Sequence, residues 1–241
     1  MDNRAAGGGG GGDAETSAFA PFRHRVFTVL WSAAVVSSIG TWMNDVASGW
    51  LMTSLAPSPL MVALVQAATT SPVFLFALIA GALADIVDRR RLLLVVSVAL
   101  TATAALFGVL VWADRVTPPI LILFTFLLGS GSAVSAPAWQ AIVPRLVPRS
   151  DLQPAIAMNS VGVNISRAIG PSVGGLIIAG VGIAAPFLLN AASFLGVIAA
   201  LLWWKPPVDH LPHLPAERFM SAIRSGLRYA RSSKPLRDTL V

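Results

Sequence analysis

No cysteine occurs among the 241 residues, which excludes a disulfide framework and a thiolate zinc site. Charge is scarce as well. Asp, Glu, Lys and Arg make up 12% of the chain, about half of the roughly 25% usual in soluble domains. Catalytic groupings are missing too. His24, His210 and His213 stand outside the apolar runs and in no metal-ligand spacing, and there is no nucleophile motif, phosphate loop or dinucleotide loop. These absences argue against an enzyme, an ATP-driven machine, a bound cofactor and a metal site. The net charge of +6 raises nucleic acid as a partner. That reading needs basic residues on one folded face. Here they are scattered through the gaps between apolar runs, so no nucleic acid is expected.

What is present is apolar sequence, 55% of the residues. Residues 1–21 form a polar tail with an unbroken glycine run, Gly7 to Gly12. Such a tail cannot bury enough apolar area to offset its ordering entropy, so disorder is expected there. Six apolar runs follow, at about Val26–Leu51, Leu60–Ile79, Leu92–Trp112, Ile120–Ala138, Ala155–Val181 and Phe187–Trp204. Each is near the ~20 residues a membrane-spanning helix needs. The expected fold is an all-α, six-helix transmembrane bundle over residues 22–204, with the lipid bilayer as solvent. The connectors are short and marked by Pro and Gly, which suggests that sequential helices pack as antiparallel neighbours.

Orientation follows from Lys and Arg. With the N-terminus cytoplasmic, every Lys and Arg except Arg115 and Arg167 falls on the cytoplasmic side, which is the positive-inside pattern. Residues 205–241 turn polar and basic. Phe219, Ile223 and Leu227 repeat at helical spacing among Arg218, Arg224, Arg228 and Arg231. This reads as a cytoplasmic linker with an amphipathic helix, either lying on an anionic leaflet or simply solvated.

Polar residues inside the runs are costly in lipid and therefore informative. In the first run Ser37, Ser38, Thr41, Asn44, Asp45 and Ser48 form a polar stripe. Asp45 either faces a water-filled path or is solvated near the outer interface. In the fifth run Ser160, Asn164 and Arg167 share a face. Arg167 could meet Asp45, an anionic substrate group or helix carbonyls. Gln66 is a further in-span polar group. Gly170, Pro171, Gly174 and Gly175 suggest a kinked helix packed closely on a neighbour. The charged stretch Gly81–Leu93, GALADIVDRRRLL, reads as a turn between the second and third runs. In it Gly81 allows close packing, Asp85 faces a helix start, and Arg89 and Arg90 meet helix carbonyl ends or lipid phosphate.

The same stretch resembles the loop between the second and third spans of the major facilitator superfamily, G-x-L-A-D-x-x-G-R-R/K-x-x-L. Gly81, Leu83, Ala84, Asp85, Arg89, Arg90 and Leu93 match; Asp88 stands for the second glycine and Ile86 for a common Arg. The fifth-run GPxxGG is similar to that superfamily's antiporter motif, with Ser166 where an upstream glycine is usual. Two strings, GSAVSAPAWQAIVPRLVPRSDL and NSVGVNISRAIGPSVGG, resemble the enterobactin-exporter-like branch. The resemblance implies one half of a twelve-span fold, with a C-terminal half missing from this chain. It also implies secondary active export of a small, siderophore- or drug-like molecule across the bacterial inner membrane. Asp45, Asn44, Thr41, Gln66, Asn164 and Arg167 would then line the substrate or ion path. Gly81, Asp85, Arg89 and Arg90 would form a cytoplasmic gate. Protons are a candidate coupling ion, although the fourth-span Arg of proton-linked exporters has no counterpart. An importer of the same fold, or a non-transporting remnant or assembly partner, would carry the same spans.

Overall fold

The computed structural model describes residues 17–205, apart from the side chains of Leu78, Ala82 and Asp85. Most of the glycine tail and the basic linker after Lys205 lie outside the described residues. Residues 17–21, assigned above to the tail, are among the described residues and lead into the bundle. A turn of 3-10 helix, Ala20–Arg23, buries Ala20 and Pro21 against the bundle. Six helices follow: α1 (Arg25–Leu55), α2 (Pro59–Ile86), α3 (Arg89–Trp112), α4 (Pro118–Ile142), α5 (Leu152–Val181) and α6 (Ala185–Trp203). Each is long and apolar enough to cross a membrane.

The starts and stops have local causes. Proline opens α2, α4 and α6, where its missing N–H costs nothing. Asp88 caps α3, its carboxylate accepting from the Arg91 backbone N–H at 2.8 Å, which satisfies an otherwise orphaned donor. Gly182 ends α5 at φ 112°, a conformation that glycine tolerates. Pro72, Pro137 and Pro171 lie within α2, α4 and α5, and each helix continues past its proline.

Two expectations are corrected. The Gly81–Leu93 stretch is mostly helix, because α2 runs on to Ile86 and α3 starts at Arg89. Only Val87 and Asp88 make the turn. Nor are sequential helices the main partners, apart from α3 and α4. The extensive contacts are α2 on α4, α1 on α5 and α6, and α3 on α4 and α6. The packing therefore runs in the order α5, α1, α6, α3, α4, α2. A short connector limits how far two helix ends can separate, but it does not choose which faces meet. In lipid that choice falls to small residues that let backbones approach.

The α1–α5 seam illustrates this. Gly162, Ser166, Gly170 and Gly174 recur every fourth residue and are buried. A Cβ at Gly170 would come 2.5 Å from Trp42 Cβ, and one at Gly174 would come 3.1 Å from Met43 Cα. Ser166 is fully buried and sits 3.2 Å from the Val35 carbonyl and 2.9 Å from that of Gly162. Its hydroxyl can donate to the neighbouring helix, which a glycine could not do. On the other side of the bundle, a Cβ at Gly129 would meet the Thr69 carbonyl at 2.8 Å, which marks the close α2–α4 contact.

Apolar clusters plug both ends of the bundle. At the end bearing Arg89 and Arg90 lie Phe27, Leu30, Leu93, Ile142, Leu201 and Trp204. At the far end are Met52, Phe107, Leu121, Phe124 and Phe187. Phe107 stacks on Phe124 at 5.0 Å and meets Phe187 edge-on at 4.7 Å. Between the plugs the apolar packing thins to a few residues around Leu100, Leu128 and Phe194.

Candidate functional site

The space left between the plugs is a cleft of about 540 Å³. It opens where α1 stands off from the closely packed α2–α4 pair, and α3 and α6 back it through Leu100, Asn190 and Phe194. Such a volume lies within the range of small-molecule sites, about 300–1,000 Å³. Its walls are mainly apolar, with polar groups from α1 (Thr41, Asn44, Asp45), α2 (Thr69), α4 (Thr125, Ser132, Gln140) and α6 (Asn190).

Of the α1 stripe, Thr41, Asn44 and Asp45 are thus brought to the cleft, while Ser37, Ser38 and Ser48 are not on its wall. Thr41 Oγ1 donates to the Ser37 carbonyl at 3.1 Å. Asn44 is 3% exposed and Ser48 1%, yet Asn44 Oδ1 and Ser48 Oγ have no hydrogen-bond partner. A buried polar atom without a partner costs about 1–3 kcal/mol, so these two oxygens mark a place where packing yields to another demand. Asp45 lines the cleft half-buried, with no hydrogen bond among the described residues. It stands five residues past Gly40, the middle of the 31-residue α1, or about 7.5 Å along the axis.

Gln66 is exposed on α2 and is not on the cleft wall; Thr69, three residues on, occupies the wall instead. Asn164 and Arg167 lie on the face of α5 that no other helix here covers. Asn164 Nδ2 donates to the Ser160 carbonyl at 2.9 Å. Arg167 and Asp45 form no ion pair, and the α1–α5 register explains why. The two helices run parallel, with Ser166 beside Val35 and Gly174 beside Met43. That offset puts Arg167 level with Val36, about 13 Å along the axis from Asp45 at 1.5 Å per residue. Arg167 lies instead over Trp42, its Cζ 5.4 Å from the ring centre, at cation–π distance. Trp42 itself lines the cleft. Reading polar residues alone overlooks Trp42. Its signal is position, since it is an aromatic near the middle of a span, whereas Trp112, Trp203 and Trp204 sit at span ends.

The Arg89–Arg90 end has a different geometry. Arg90 Nε donates to the Leu201 carbonyl at 2.7 Å and its Nη2 to Leu202 at 3.1 Å, the last turn of α6. Arg89 Nε donates to the Ala84 carbonyl at 3.2 Å and its Nη1 to Ala141 at 3.5 Å, near the ends of α2 and α4. Cations at carbonyl termini complement the helix dipole. Asp85, on α2, has its side chain outside the described set. A Cβ at Gly81 would meet nothing within 4 Å, so the close packing expected there is not made inside this unit. Of the fifth-run motif, Gly170 and Gly174 press on α1, Pro171 sits between them, and Gly175 faces open space.

His24, just before α1, lies with its Nε2 2.7 Å from Asp151 Oδ2, in the 3-10 turn that leads into α5. Bonding and charge from His24 hold the Asp151 carboxyl below the usual carboxylate range, with Ser150 and Arg23 adding to the effect. Among the described residues no cluster of three His, Cys, Asp or Glu is placed to hold a metal.

Comparison with known proteins agrees with this architecture. Residues 16–241 match a major facilitator superfamily model described as a transmembrane secretion effector. The chain is 29% identical over 191 residues to the staphyloferrin A transporter of Staphylococcus aureus, covering 79% of this chain and 48% of that one. It is 27% identical over 209 residues to an uncharacterised major-facilitator-type transporter from Bacillus subtilis, covering 84% and 48%. It is 26% identical over 212 residues to the enterobactin exporter of Escherichia coli, covering 87% and 50%. The chain therefore spans about half the length of the curated relatives it matches. With six spanning helices, a mid-span cleft and a match over nearly its whole length, the chain is a multi-pass membrane protein that belongs to the transmembrane secretion effector family of the major facilitator superfamily.

Proposed function

We propose that the chain supplies the N-terminal, six-helix half of a secondary active exporter that moves a small siderophore- or drug-like molecule out of the cell by alternating access. The carrying observation is the cleft of about 540 Å³ lined by Thr41, Asn44 and Asp45, set midway between two apolar plugs. A carboxylate half-buried at that depth would be selected against unless water, an ion or a substrate reaches it. Two relatives are named as a staphyloferrin A transporter and an enterobactin exporter, which favours outward movement of a small molecule. The rest of the path would come from a second half packed against the open faces of α2 and α5.

In this reading the N-terminus and the Arg89–Arg90 end face the cytoplasm of an inner-membrane protein. Asp45 binds the coupling ion, taken to be a proton, or a cationic substrate group. Thr41 and Asn44 supply neutral hydrogen bonds beside it. Asn164 and Arg167 form the α5 wall of the path, and Gln66 borders it on α2. Gly81, Asp85, Arg89 and Arg90 hold the cytoplasmic face shut in one state and release it in the other. Gly170, Pro171, Gly174 and Gly175 form the bend about which the halves rock.

The test uses the full protein containing this chain, reconstituted in proteoliposomes, with candidate substrates offered with and without an imposed proton gradient. Gradient-dependent accumulation in the export direction is expected. Asp45→Asn, Arg167→Ala and Asp85→Asn should each depress it. Transport that continues unchanged in all three would remove the assignment of these residues. Movement only in the inward direction would replace export by import.

A further inference from the structure

We infer that Arg167 and Trp42 together form a receiving site for the anionic end of a planar, unsaturated group, such as a carboxylate on an aromatic ring. The inference rests on the transporter reading for its setting but not for its chemistry. Arg167 sits at the middle of α5 on a face that no helix of this unit covers. The other polar groups on that face are spent on their own helix, since Ser160 Oγ donates to the Ile156 carbonyl at 3.2 Å and Asn164 Nδ2 to that of Ser160 at 2.9 Å. Arg167 differs: it has no hydrogen bond and no ion pair among the described residues. Its planar fork of N–H donors matches a carboxylate two bonds at a time.

The arrangement is built, not incidental. Gly170, one turn beyond Arg167, has no side chain, so the α1 backbone comes close enough that a Cβ there would overlap Trp42 Cβ at 2.5 Å. That approach carries the indole to the guanidinium, with Cζ 5.4 Å from the ring centre. The same indole is part of the cleft wall. The cation–π contact holds the guanidinium beside the indole and uses none of its N–H donors, and an indole bordering open space offers a surface for a flat ring. Asp45 forms no ion pair with Arg167 and does not neutralise it. The site therefore favours anions, although the cleft holds a carboxylate elsewhere.

Binding of three probes to the purified full protein tests this: salicylate, its neutral amide salicylamide, and cyclohexanecarboxylate, which keeps the charge and lacks the arene. Salicylate is expected to bind roughly tenfold or more tighter than salicylamide, the range of a charge-assisted bond, and a few-fold tighter than cyclohexanecarboxylate. Arg167→Gln should erase the first preference and Trp42→Leu the second. Arg167→Lys, which retains charge but not the fork, should keep part of the first. Size-exclusion profiles matching wild type show that the variants fold. Equal binding of salicylate and salicylamide, a charge preference that survives Arg167→Gln, or no saturable salicylate binding each overturns the site. Transport separates the two readings. A protein that transports other substrates but shows no Arg167-dependent salicylate binding keeps the transporter reading and loses the site. A protein that transports nothing but shows Arg167-dependent salicylate binding does the reverse.

Discussion

Arg90 and Arg167 are both arginines at helix surfaces, and the bundle treats them in opposite ways. At the basic end Arg90 spends its donors on the Leu201 and Leu202 carbonyls, Arg89 reaches those of Ala84 and Ala141, and Arg25 lies over Trp203 at 5.6 Å. Asp88 caps α3. Polar groups there are matched to helix ends. In the middle of the bundle the balance is reversed. Asn44 Oδ1 and Ser48 Oγ are buried without partners, and Arg167 has only an aromatic face. Helix ends offer free carbonyls and N–H groups to any charged side chain within reach. In a helix middle the backbone is internally bonded, and its carbonyls accept only a further short donor beside them, as from Thr41, Asn164 and Ser166. The Asn44 and Ser48 oxygens and the Arg167 guanidinium make no such bond and are left for something that arrives.

Four measurements can break or sharpen that contrast. The largest effect is expected for Asp45→Asn, which should lower gradient-driven transport roughly tenfold or more while leaving thermal stability near wild type, since the carboxylate has no protein partner to lose. A fall in stability as large as the fall in transport would make Asp45 structural. Next, Gly170→Ala should destabilise by about 1–3 kcal/mol through overpacking against Trp42, with Gly175→Ala near neutral as its control, because nothing lies within 4 Å of a Cβ there. Equal costs would dissolve the α1–α5 seam as described. Arg90→Ala, measured by thermal unfolding in detergent, should cost about 1–2 kcal/mol for two charge-assisted bonds. A larger loss from Arg167→Ala than from Arg90→Ala would invert the comparison.

The smallest effect concerns Asp151. Its folded pKa is lowered by His24, so its contribution is complete above the ordinary carboxylate value and is lost as pH falls through the lowered one. Between about pH 5 and pH 3 the wild type should lose slightly more thermal stability than Asp151→Asn. Parallel curves would mean that the His24 contact adds nothing.

The site was partly legible before folding. The polar stripe on α1 pointed to Thr41, Asn44 and Asp45, and all three line the cleft. Of the two partners open to Arg89 and Arg90, helix carbonyls or lipid phosphate, both side chains reach carbonyls. Gln66 is exposed while Thr69, three residues on and about 60° around the helix, lines the cleft, and polarity alone does not say which side of α2 faces inward. Gly81 was read as a close contact, yet it is open within this unit. Trp42 was invisible to a search for polar groups. A contact between Asp45 and Arg167 was open on depth alone, and only the α1–α5 register removes it.

The sequence by itself determined six spans and, apart from the C-terminal end of α2, their approximate limits. In a membrane every backbone polar group must be bonded within its own segment, so runs of about 20 apolar residues, punctuated by Pro, Gly and charge, leave few alternatives. Only the tertiary structure decided which helices meet and which stay apart. Hydrophobicity cannot choose partners where lipid is as apolar as leucine. The choice passes to complementary surfaces such as Gly162, Ser166, Gly170 and Gly174 against α1, and those surfaces exist only once two helices are brought together.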